Sequence, residues 1–281
     1  MRAGVTTMTG ATTLATVSTL LLVASALAAV TPAGGGDHAP ARVARIERVE
    51  IGVEDGAGRW SRPDGTGYSN DVARAAFAAA GVEVQLRVLP YKRCKQLALA
   101  GELAACLAMS REPALRGRIV FPANPLFVFS SELLVRADEP RPRGVEELPQ
   151  GAAVGTVLGY EYPETLLRRL RERGIVLEPS PSESTNLRKV ASGRLAAAIV
   201  NSDVVKPAAW IAECAGVADR VASAFSVGAV PAYVGFSARH RDGRRLAEQF
   251  DAGYREIVRS GELARIQARW TPAPRRAGVV E

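Results

Sequence analysis

Residues 48–53, Arg-Val-Glu-Ile-Gly-Val, alternate polar and apolar side chains, the period of a half-buried strand. A Gly-rich loop follows over 54–67. Val72, Ala75, Ala76 and Ala79 then recur at helical spacing, with Phe77 widening the apolar face; Asn70 or Asp71 is placed to cap this helix and Gly81 to end it. Alternation returns at 82–88. Pro90 turns the chain into a helix over about 91–100, Gly101 stops it, and the apolar run 104–109 reads as a buried strand. This β-α-β-α-β order predicts short right-handed crossovers and a largely parallel sheet, with ligand sites at the carboxyl ends of its strands.

The same order recurs downstream. Residues 152–158 read as a strand, 164–170 as a helix, 175–178 as a strand, 183–191 as a helix and 195–200 as a strand. Such a repeat predicts two similar lobes. Two extended segments, 126–135 and 225–237, run between them. The tail forms two helices: Leu246, Phe250, Tyr254, Ile257 and Val258 share one face, Gly261 interrupts it, and Leu263, Ile266 and Trp270 resume it. Packing this tail on the first lobe makes that lobe discontinuous. The expected fold class is therefore α/β, two Rossmann-like lobes joined by two crossing hinge segments. Lobe 1 spans 43–128 and 231–281, lobe 2 spans 129–230, and a cleft separates them.

Before Asp37 the only charged residue is Arg2, and residues 14–30 are almost unbroken apolar sequence ending in Ala26-Leu27-Ala28-Ala29. A basic start, a short apolar stretch and an A-x-A site together predict a signal peptide over 1–28, cleaved on export to the periplasm. A retained anchor is the rival reading, since the segment approaches the roughly 20 residues that span a bilayer. Met8 is an alternative start. With no Cys near the cleavage site, lipid attachment is not expected. Residues 29–42 have no apolar period and read as a disordered leader.

The formal net charge is +7, and arginine dominates the basic residues. An Arg-rich chain can signal nucleic acid, but export and the mixing of acids among the arginines, as over 168–173, predict a basic solvated surface and no nucleic-acid partner. Three cysteines cannot all pair within one exported chain. Cys94 and Cys106, on a helix and the strand after it, are the candidate disulfide; Cys214 is then a free thiol, expected to pack against a helix face. His38 falls in the leader and His240 stands alone, so no metal or other cofactor is expected. A monomer is expected.

Several short motifs share one order and spacing: Gly67-Tyr68-Ser69-Asn70-Asp71, Leu89-Pro90-Tyr91-Lys92-Arg93-Cys94, Gly101-Glu102-Leu103, Val154-Gly155 with Gly159-Tyr160, Gly193-Arg194-Leu195, and 260–266 before Trp270. Over residues 49–270 the chain resembles the extracellular (periplasmic) solute-binding proteins associated with ABC-type polar amino-acid transport. The resemblance implies the type II periplasmic binding protein fold and, as partners, a small-molecule solute and an ABC-type membrane permease. Ala104 and Ala196 depart from the aspartates common at those two places in the family.

The same resemblance suggests the binding residues. Glu54, with Asp55 as competitor, matches an acid that contacts an amino group, although a solvated loop acid would look the same. Arg116, with a one-residue offset against the common pattern, corresponds to the arginine that clamps a carboxylate through two parallel hydrogen bonds; Arg111 and Arg118 are alternatives, as is a surface role, and Ser110 offers a hydroxyl to the same anion. Trp60, Tyr68 and Tyr91 occupy strand-end loops where aromatic rings wall a cleft, with Tyr91 also suited to the core. Arg93 points into the cleft or ties its helix to a loop. Tyr160 stands in a loop that presents backbone donors, where relatives often carry Thr or Ser. Asn201 stands where amino-acid binders often carry Asp, and Asp203 is the nearby acid that could compensate.

The expected function is reversible binding of a small polar, carboxylate-bearing solute, an amino acid or related organic acid, for delivery to a membrane transporter, without catalysis. The alternatives are an accessory or sensory envelope binding protein, and a dehydratase-like enzyme acting on a cyclic acid through Glu54, Glu161 or Asp203.

Overall fold

In the computed structural model the described residues are 47–273. The signal peptide and leader expected at 1–42 lie outside the described residues.

The first run of elements is β1 (Glu47–Glu54), α1 (Tyr68–Ala79), β2 (Val82–Leu89), α2 (Tyr91–Ala100), β3 (Ala105–Met109), β4 (Ile119–Val120) and β5 (Phe127–Arg136). The second is β6 (Ala153–Val157), α3 (Glu164–Glu172), β7 (Val176–Ser180), α4 (Glu183–Ala191), β8 (Ala197–Ser202) and α5 (Ala208–Cys214). Then come β9 (Val221–Ser237), α6 (Gly243–Arg259) and α7 (Glu262–Trp270).

The strands follow the order β2-β1-β3-β9-β5-β8-β6-β7, with β4 also on β9. Within each half the crossovers give parallel pairs, β2-β1-β3 in one and β7-β6-β8 in the other. The 17-residue strand β9 serves both halves. Its first part runs antiparallel to β5, and its last residues run antiparallel to β3 and β4. The architecture is two α/β lobes of the type II periplasmic binding protein kind.

Phe77, Phe236 and Phe250 fill the first lobe's core, their ring centroids 5.7 to 6.4 Å apart. α6 and α7 pack against α1. The fit of α6 on α1 depends on Gly253, where a Cβ would fall 1.8 Å from the Ala76 carbonyl oxygen. Leu133, Leu166, Leu170 and Ile199 fill one side of the second lobe's sheet, and Leu187, Val190 and Ile211 the other.

Local details depart from the sequence-based expectation. α1 starts at Tyr68 with Gly67 at its N-cap, ahead of Asn70 and Asp71. Asn70 instead braces the preceding loop against the helix, its side-chain amide donating to Ser61 Oγ and to the Gly65 and Thr66 carbonyls. α5 has no counterpart in the apolar pattern, because seven residues are too few to establish a period. Cys214 ends that short helix and is exposed, not packed against a helix face. Cys94 and Cys106 form a disulfide between α2 and β3.

Candidate functional site

The carboxyl ends of the parallel strands from both lobes meet at one place. β1 ends in Glu54, β2 leads through Pro90 to Tyr91, and β3 leads to Ser110. From the other lobe, β6 leads to Gly159-Tyr160-Glu161, and Asn201 is the penultimate residue of β8. Glu54, Trp60, Tyr91, Ala108, Ser110, Phe127, Phe129, Tyr160, Glu161 and Asn201 surround a cavity of about 20 Å³, room for about one water. A second cavity, of about 360 Å³, shares Ser110 and Glu161 with it and is lined also by Arg111, Glu112 and Glu164.

Side chains of the two lobes bond directly across this space. Tyr160 donates its hydroxyl to Glu54 Oε1 at 2.7 Å. Tyr91 donates to Glu161 Oε2 at 2.6 Å, Lys95 pairs with Glu161 Oε1 at 2.7 Å, and the Ser110 backbone N–H reaches Glu161 Oε2 at 3.5 Å. The Tyr91 and Tyr160 rings meet edge to face, centroids 5.3 Å apart. Burial pushes the Glu54 carboxyl up to about 7, against the opposing pull of the Tyr160 hydroxyl and the Lys206 charge. Burial also raises Glu161, while Lys95 and Tyr91 draw it back.

Lys206 is 1 % exposed. Such a lysine is rare unless paired, and here Nζ donates to Glu183 Oε2 at 2.8 Å while lying 3.7 Å from the centre of the Trp60 ring. The other Glu183 oxygen accepts from the Asn201 backbone N–H at 2.7 Å. The Asn201 side-chain oxygen accepts from Ser131 Oγ at 2.9 Å, so the residue is held by its own lobe. Ala108 lines the cavity at φ 61, in the left-handed region that side chains seldom adopt, where β3 loses register with β9.

Three residues expected at the ligand lie elsewhere. Tyr68 is buried against Phe127 and lines a separate groove of about 950 Å³ beside the hinge strands. Arg93 and Arg116 are exposed and line neither cleft cavity. Arg111 lines the outer cavity, with its guanidinium donating to the Pro122 carbonyl at 3.0 Å and stacked 4.4 Å from the Tyr233 ring centre. Asp203 closes a turn by accepting from the Val205 and Lys206 backbone N–H groups. Among the described residues no group of three or more His, Cys, Asp and Glu side chains could hold a metal ion.

The family model for bacterial extracellular solute-binding proteins, family 3, matches residues 58–273. The chain belongs to this family. As a family-3 solute-binding protein it is a protein of the extracellular or periplasmic space. No curated protein sequence matches the chain. Among solved structures it is similar to a histidine kinase sensor domain with similarity to periplasmic binding proteins, at 19 % identity and TM-score 0.69, covering 81 % of this chain and 99 % of that one. An ancestral arginine-binding protein bound to arginine gives 17 % identity and TM-score 0.67, covering 79 % and 97 %. An ancestral amino acid-binding protein described as a precursor of cyclohexadienyl dehydratase gives 18 % identity and TM-score 0.64, covering 80 % and 96 %. At these identities the likeness is one of fold.

Phe127 and Phe129 line the inner cavity, and Lys95 and Lys206 contact Glu161 and Trp60 in its lining, without having been expected there. The phenylalanines lie on a hinge strand whose run of apolar and aromatic residues looks like core sequence. Lys95 falls one helical turn after Tyr91, a spacing that places both on one face and was the available clue.

Proposed function

We propose that the protein reversibly binds a small polar solute between its lobes and delivers it to an ABC-type membrane transporter, and that the solute is anchored by a cationic amino group. The observation that carries this reading is the convergence of polar and aromatic groups from both lobes on one cavity, with Glu54 facing Tyr160 across it at 2.7 Å. Contacts made by both lobes are the means by which a solute shifts the population toward closure. Around the inner and outer cavities the carboxyls are Glu54, Glu112, Glu161 and Glu164, whereas Arg116, the residue expected to clamp a carboxylate, lies outside.

The test is a thermal-shift screen of amines, amino acids and small organic acids, followed by calorimetry. An amine-bearing solute is expected to raise the melting temperature by mass action, and Glu54→Gln to remove the effect while leaving the protein folded. A solute that binds equally well to Glu54→Gln would overturn the amine anchor, and a screen in which no solute shifts the melting temperature would overturn the binding reading. A sensory role without its own transporter is the second reading, favoured by the similarity to a histidine kinase sensor domain. Capture by a purified kinase or by a purified permease separates the two.

A further inference from the structure

We propose that Glu161 supplies, from within the chain, the carboxylate that a zwitterionic solute would otherwise bring, so that the cleft accepts amines lacking a carboxylate and discriminates against the matching amino acids. This rests on the interlobe binding reading above.

Three donors of the first lobe point at one spot. The Tyr91 hydroxyl, the Lys95 ammonium and the Ser110 backbone N–H come from one helix and a strand-end loop, and all three end on the Glu161 carboxylate of the second lobe. A buried hydroxyl, a cation and a backbone N–H aimed together form a seat for an anion: the hydroxyl and the N–H would be costly to leave unpaired away from water, and the ammonium bridges Glu161 to Glu112 Oε1, 2.9 Å away. Glu161 is buried in that seat. The second interlobe cation is also spoken for, since Lys206 pairs with Glu183.

Glu54 is different. Among the described residues it has no ion pair, and its side chain holds only the Tyr160 hydroxyl. The remaining demand of the site is therefore for a positive charge. An amino acid entering with its ammonium toward Glu54 would have to place its carboxylate beside Glu161 or displace that residue from three donors. A like charge brought into such a site acts as the repulsive element that specificity requires. The outer cavity is lined by Glu112 and Glu164, paired with Lys95 and Arg171, and by Arg111, whose guanidinium is occupied by the Pro122 carbonyl and the Tyr233 ring.

The experiment is calorimetry on the purified protein with two matched pairs, agmatine against arginine and cadaverine against lysine. The members of each pair differ only by the carboxylate. Wild type is expected to bind at least one amine about tenfold or more tightly than its amino acid. Glu161→Ala is expected to erase or reverse that gap through a gain by the amino acid, and Glu161→Gln, which keeps the side chain's size, to narrow it. Circular dichroism verifies the fold of each variant, and the wild-type comparison stands even where a variant does not fold. Wild-type affinity for an amino acid equal to or above that for its amine overturns the inference while leaving solute binding intact. Silence from all four probes also overturns it, and the wider screen then decides the binding reading separately.

Discussion

Lys206 Nζ lies 3.7 Å from the centre of the Trp60 ring, so an ammonium carried by the second lobe rests on an aromatic face presented by the first. The same ammonium neutralises Glu183, itself 9 % exposed. Removing one member of a buried pair strands the other, at a typical cost of about 3–5 kcal/mol. Lys206→Met is expected to lower stability in urea by about that amount, and Lys206→Met with Glu183→Gln to recover most of it. A single variant within about 1 kcal/mol of wild type would show that the pair is not buried in solution.

Tyr160→Phe deletes the hydroxyl that Glu54 receives across the cleft. The expected cost is about 1–3 kcal/mol, the range for stripping a buried polar group of its partner. In a Glu54→Gln background the same change should cost measurably less. A double-mutant cycle in urea reads the difference, and a coupling energy of zero would mean that the contact is not formed in the unliganded protein.

The elevated Glu54 carboxyl gives stability a pH signature. Its ordinary value is 4.5 and its folded value about 7. Between these the folded state holds more protons than the unfolded one, so stability is fully present below about 4.5 and declines as pH rises through about 7. Glu161 and Asp203, also raised by burial, act in the same sense. The Glu54 contribution is about 3 kcal/mol across the window. Melting temperatures from pH 5 to 8 should fall, and the fall should be shallower in Glu54→Gln; an identical slope would refute the assignment.

The disulfide sits over Gly52, where a Cβ would lie 2.4 Å from Cys94 Sγ. Gly52→Ala is expected to destabilise by about 1–3 kcal/mol through overpacking. Replacing both Cys94 and Cys106 by Ala is expected to cost about 2–4 kcal/mol, the usual range for a native disulfide. In that double variant Gly52→Ala should become cheaper, which chemical denaturation of the four proteins would show.

Most of the fold could be read from residues because its longer elements announce themselves locally. Strand alternation at 48–53, the helical spacing of Val72, Ala76 and Ala79, and the repetition of the whole order after residue 152 are properties of short windows. The site is harder, because its pairings are between residues far apart in sequence. Glu54, Tyr91 and Tyr160 each stand at a strand's carboxyl end and could be named individually. That Tyr160 would bond Glu54 instead of leaving it for a solute depends on how two lobes meet. Lys206 gave no sign at all, since a lysine before a proline in a short loop reads as solvated until its partner, 23 positions earlier, is brought against it. Arg116 matched a family position by sequence yet lies exposed, following the 3-10 turn Pro113–Leu115 that precedes it.

β9 belongs to both sheets, pairing with β5 along its first part and with β3 and β4 at its end. The lobes are thus not two beads on a string but two ends of one plank. Any widening of the gap must be absorbed as torsion where that plank leaves one sheet for the other, between Ala232, still paired with Phe127 of β5, and Tyr233, paired with Met109 of β3, together with the segment entering β5. A single backbone cut there would leave the segment entering β5 as the remaining covalent tether, and the degree to which the two halves still swing in concert would measure what β9 contributes.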